Sequence, residues 1–116
     1  MGIINAIPKT LLIHTVTYAR EGEEDRWGNA ELVDRQELRY VRMEPSSKIV
    51  RDKNGAEIQL AVTLFYDCRN SRPMNLSFKT DDIIIFNEQK YRTSLIESLY
   101  DGKKLHHYEL GLVAYA

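Results

Sequence analysis

The sequence predicts an all-β fold, a small antiparallel β-barrel or sandwich of six to seven strands with long loops. Three observations carry this. The dominant hydrophobic period is two rather than 3.6, clearest where Ile58, Leu60, Val62, Leu64 and Tyr66 alternate with Gln59, Ala61, Thr63 and Phe65. The extended segments are punctuated by tight-turn signals, Asn54-Gly55 and Asp101-Gly102 foremost. No stretch has convincing helical spacing, and six or seven strands joined by turns suit a closed or stacked sheet.

Residues 10–19 read as the first strand, rich in β-branched and aromatic side chains, with Leu12, His14, Val16 and Tyr18 on one face. A charged loop at 20–30 follows, holding the single tryptophan, Trp27, and a Gly28-Asn29 turn signal. Residues 32–43 resume as a strand, ended by Pro45, which lacks a ladder donor. Segments 48–52 and 57–66 flank Lys53-Asn54-Gly55 as a hairpin. Residues 67–82 are mainly loop, with room for a short strand at 76–79 or a short helix; a short helix near 3–9 is the other exception. Residues 83–86, 91–100 and 105–115 complete the strands, and in the last Tyr108, Leu110, Leu112 and Ala114 oppose His107, Glu109 and Val113.

A chain of 116 residues forms one domain with a respectable core; residues 10–116 are the expected barrel and 1–9, with Ile3, Ile4 and Ile7 before Pro8, an arm reaching a neighbouring subunit. Sixteen basic and seventeen acidic residues leave a net charge of −1, which argues against tight duplex binding by an isolated monomer. One cysteine allows no intrachain disulfide. The N-terminus lacks the charged and apolar regions of a signal peptide, and Ala6 stands where a myristoylation context has Ser or Thr. The apolar runs are too short to span a bilayer, so a soluble protein made in a cytoplasm, without membrane contact, is expected.

LFYDCRNS at 64–71 and LHHYELGLV at 105–113 are the most distinctive wordings in the chain. With their surroundings, from about Leu11 to Tyr115, they resemble the minor capsid proteins of phages of Gram-positive hosts, encoded beside the portal gene. The segment DDIIIFNEQKYRTSLIESLY is similar to a pattern of small head–tail connector barrels: acidic turn, apolar strand, tight turn, Tyr-led strand. The resemblance implies a structural virion protein of the neck, made in the host cytoplasm. Its implied role is head closure, as a stopper ring between portal or adaptor and tail that closes the DNA channel and docks the tail. Adaptor and tail-completion roles are the neighbouring alternatives. Implied partners are further copies in a dodecameric ring, the portal or adaptor, a tail or tail-terminator protein, and packaged double-stranded DNA in the lumen. No cofactor, metal or catalysis is implied.

Two sets of residues are candidates for interface or lumen positions. Glu23, Glu24 and Asp25 would give a wall along which DNA slides, whereas Lys48, Arg51 and Lys53, with Asn54 on the Asn-Gly hairpin, would touch phosphate. Trp27, a large aromatic outside the strand pattern, reads either as an anchor for a partner or as a lid over one barrel mouth.

The enzyme reading is weak. Cys68 has no nucleophile motif around it and reads as a structural cysteine at a strand end. His107 and Glu109 offer two metal ligands where a zinc site wants three or four, and strand alternation sends His106 and His107 to opposite faces. Asp81-Asp82 reads as a turn whose carboxylates accept backbone N–H groups. A rival of another class is an OB-like module for single-stranded nucleic acid, with Tyr40 between Arg39 and Arg42, and Tyr91 beside Lys90 and Arg92, as the stacking platform.

Overall fold

Eight strands form in the computed structural model, which describes residues 5–52 and 54–115. They are β1 His14–Glu24, β2 Ala30–Pro45, β3 Ile49–Arg51, β4 Glu57–Gln59, β5 Val62–Asp67, β6 Ile83–Phe86, β7 Gln89–Asp101 and β8 Lys104–Ala114. Six close an antiparallel barrel in the order β1-β2-β5-β8-β7-β6, with β6 returning to β1 through Thr17↔Ile85 and Ala19↔Ile83. The remaining two, β3 and β4, pair as a separate hairpin. The predicted all-β class holds, and no helix occurs among the described residues.

Alternation decides what lies inside. Val16, Tyr18, Leu38, Val41, Met43, Leu64, Tyr66, Ile84, Leu110 and Leu112 form the buried core. Phe78 enters it from the 67–82 loop, edge-on to Tyr18, Tyr66 and Tyr108 at 5.2–5.5 Å between ring centroids. The short strand expected at 76–79 does not form. Tyr66 donates its hydroxyl to the Pro73 carbonyl, so a side chain from the core holds this segment instead of a ladder. Asp82 is buried, accepting from the Lys79 N–H at 2.8 Å and from the Tyr18 hydroxyl, as a turn carboxylate should.

Both ends of the first strand differ from expectation. The first strand starts at His14, because 8–12 forms a single turn (Leu11 N–H to Pro8 O, 2.9 Å). It then continues to Glu24 against β2, so the charged 20–30 loop is a hairpin whose tip is 25–29. Registers His14↔Val41 and Val16↔Leu38, then Tyr18↔Gln36 and Arg20↔Val33, each leave one extra residue on β2. These bulges hold Tyr40 and Asp34 at positive φ, and they bend the hairpin while its pairing persists.

The long strand expected at 57–66 breaks at Leu60. Leu60 N–H bonds to Lys48 O, Ala61 N–H to Leu112 O, and the β3–β4 hairpin folds over the outside of the barrel. Leu60 is buried there although it lies outside the main core, because Gly111 leaves it space. A Cβ on Gly111 would stand 2.8 Å from Leu60 Cδ1 and 3.2 Å from Leu95 Cβ.

Candidate functional site

Each distinctive sequence motif turns out to be a structural knot. In the first, Asp67 is fully buried at the end of β5 and its carboxylate accepts from the N–H groups of Ile7, Arg69 and Asn70 at 2.8–3.0 Å. Asn70 Nδ2 donates to Ile7 O at 2.8 Å, and Ser71 Oγ accepts the Asp67 N–H while donating to the Tyr40 carbonyl at the β2 bulge. Loop, N-terminal segment and bulge are thereby fastened together. Cys68 sits at the strand end, its N–H on His106 O at 3.1 Å, and burial followed by the Asp67 charge pushes its thiol pKa up. A raised pKa lowers the thiolate fraction, the form that acts as nucleophile.

The expected arm is held to its own barrel from Asn5 onward: besides the Ile7 bonds, Arg42 Nη1 donates to Leu11 O at 3.0 Å. Ile3 and Ile4 lie outside the described residues. His14, at the start of β1, accepts the Met43 N–H on Nδ1 at 3.0 Å; burial and the nearby Arg42 charge both lower its pKa, keeping it neutral.

In the second motif, Leu99↔His107 followed by Tyr100↔Leu105 leaves His106 as an extra residue on β8. The alternation that would send His106 and His107 to opposite faces therefore fails. Their Nδ1 atoms stand 2.8 Å apart, and His107 Nε2 lies 2.9 Å from Glu109 Oε2. Further along, Leu110 and Leu112 point into the core while Gly111 receives Leu60.

The two sets of candidate interface residues fall on two hairpins. Glu23, Glu24, Asp25 and Trp27 lie at the end of the β1–β2 hairpin, all exposed, with Trp27 at 74% and the Arg26 guanidinium 5.1 Å from its ring centroid. Such exposure excludes a lid over the barrel mouth. The root of this hairpin is fixed to the barrel by Glu21, which pairs with Arg92 at 2.5 Å and accepts the Tyr115 hydroxyl at 2.9 Å. Arg92 holds the Glu21 carboxyl below its usual pKa.

On the β3–β4 hairpin, Lys48 is 3.8 Å from Glu97 of β7, and Arg51 Nη1 donates to Gly55 O at 2.8 Å. Asn54 is exposed at the turn, and Lys53 lies outside the described residues. Both described cations thus have partners on this chain. Of the two tyrosines of the nucleic-acid reading, Tyr91 is half-buried against the core, whereas Tyr40 is exposed with Lys9 Nζ 4.7 Å from its ring centroid. Sequence reasoning missed the root residues Glu21, Arg92 and Tyr115, the last two lying 71 and 94 positions from Glu21 and carrying no local signal.

The family model described as minor capsid protein matches residues 8–112, nearly the whole barrel, with the first motif complete and the second up to Leu112. No curated protein matches the chain.

Proposed function

Because the chain belongs to the minor capsid protein family, we propose that this structural component of a phage virion is a head-closure subunit of the neck. In this reading copies form a ring between the portal or adaptor and the tail, close the channel behind packaged DNA, and present a docking surface for the tail. The observation that carries it, beyond the family, is the β1–β2 hairpin: a stiff, pinned projection ending in an exposed tryptophan among acidic residues. An exposed aromatic on a preordered element is the usual chemistry of an interface anchor, since little side-chain freedom is lost on docking.

The barrel is then the rigid body and the hairpin its reach. The acidic side chains Glu23, Glu24 and Asp25 make poor phosphate ligands, so a hairpin facing the lumen lets DNA slide past rather than gripping it. Lys48 and Arg51 are engaged within the subunit, which argues against a DNA clamp at the β3–β4 hairpin.

The test is Trp27→Ala in the phage. The variant protein should fold normally, and particles should carry less of it, leak DNA or fail to join tails. Full incorporation with undiminished infectivity would remove the anchor role, and imaging that places the chain away from the portal–tail junction would remove head closure itself.

A further inference from the structure

We propose that His106 and His107 form a chelating pair for one divalent transition-metal ion of the copper(II) or nickel(II) class, bound through their two Nδ1 atoms. The argument begins with tautomers. His106 Nε2 lies 2.7 Å from the Asn5 carbonyl oxygen, which only accepts, so this nitrogen carries a hydrogen. His107 Nε2 lies 2.9 Å from a Glu109 carboxylate oxygen and carries one for the same reason. In each neutral ring the lone pair is then on Nδ1, and the two Nδ1 atoms face each other at 2.8 Å. Two lone pairs facing each other at this distance repel; a cation seated to one side of the line between the two atoms, about 2.0 Å from each, turns the repulsion into two bonds.

The surroundings match what a metal-binding histidine needs. An oxygen acceptor on the far ring nitrogen fixes the tautomer and raises ligand basicity, and here both rings have one, a carbonyl and a carboxylate. Phe65 lies beside His107 with ring centroids 6.3 Å apart and planes 24° from parallel, and the β8 bulge holds both histidine side chains on one side. Metal–nitrogen bonds of about 2.0–2.1 Å put cis ligands roughly 2.9 Å apart at a right angle but about 3.3 Å apart at a tetrahedral one. The observed 2.8 Å is therefore nearly the bite of a tetragonal ion, the geometry of copper(II) and nickel(II), and short for zinc. Among the described residues no group of three potential ligands gathers, so the chain supplies two and water or a neighbouring molecule fills the rest. Both histidines are partly exposed, which leaves the ion accessible.

The competing occupant is a single shared proton, and the experiment separates the two. Untagged full-length protein is titrated with copper(II) and followed by electron paramagnetic resonance and calorimetry. One equivalent should bind with the signature of two imidazole nitrogens. His106→Gln and His107→Gln should each weaken binding at least tenfold and reduce the nitrogen count, while Glu109→Gln should weaken it about 10–100-fold through the outer shell. His14→Gln should change nothing. Absence of stoichiometric binding, or binding indifferent to the His106 and His107 variants, would overturn the site and leave a proton-sharing pair.

Discussion

Two hairpins of this protein are closed by the same five-residue turn and have opposite fates. At the β1–β2 tip, Asp25 Oδ1 accepts the N–H groups of Trp27 (2.8 Å) and Asn29 (3.0 Å), and Gly28 sits at φ 80°. At the β3–β4 tip, Asp52 Oδ1 accepts those of Asn54 (2.9 Å) and Ala56 (3.0 Å), and Gly55 sits at φ 81°. Even the backbone bond from glycine N–H to aspartate O is 3.0 Å in both. Yet one hairpin lies on the barrel and the other projects. Turn chemistry therefore sets closure, and the contacts at the root set direction. Beyond β4 stands Leu60, a large apolar side chain with Gly111 beneath it; at the root of β1–β2 stands Glu21, tied to Arg92 and Tyr115.

Leu60→Ala gives the sharpest break in that comparison. It should destabilise the protein by about 2–5 kcal/mol in chemical denaturation and free residues 49–59 to exchange their amides. A loss below about 1 kcal/mol would mean that Leu60 does not hold the hairpin down. Next in size, Gly111→Ala puts a methyl into Leu60 and should cost about 1–3 kcal/mol by overpacking. The double variant should cost less than the sum of the two, because removing the leucine empties the space the methyl needs.

For the projecting hairpin, Glu21→Gln should cost about 1 kcal/mol at neutral pH, the scale of a partly exposed ion pair. The folded-state pKa of Glu21 is depressed, so its contribution is complete above the ordinary value of 4.5 and fades as pH falls through the lower folded value. Denaturation curves of wild type and variant should therefore converge in acid. The smallest effects are expected at the turns. Gly28→Ala and Gly55→Ala impose the same strain of about 1 kcal/mol, because each forces a Cβ into a left-handed conformation. Only Gly55→Ala should register fully in global unfolding. Gly28→Ala should appear mainly as faster amide exchange at 23–31, where fraying is local.

Much of this was legible in the sequence because a two-residue period survives wherever one face meets the core. The inward set Tyr108, Leu110 and Leu112 was readable residue by residue, as was the Asp101-Gly102 turn, where Gly102 takes φ 64°. Three features escaped. The charged run after Ala19 hides the continuation of β1, since both faces of a projecting hairpin meet water and no alternation results. Leu60 continues the pattern of an inward residue but is buried on the outside, and only the distant Gly111 makes that possible. Simple alternation would part His106 from His107, and the bulge that brings them together has no local signal. Of the candidate site residues, the exposure of Trp27 and its acidic neighbours is a consequence of their polar setting, whereas their pinning by Glu21, Arg92 and Tyr115 is a tertiary fact.

Amide exchange on the free protein and on the assembled particle tests the central claim most directly. If the projecting hairpin is the docking element, amides at 21–31 should become strongly protected on assembly while those at 49–59 keep the protection they already have. Protection gained at 49–59 with 21–31 unchanged would contradict the account.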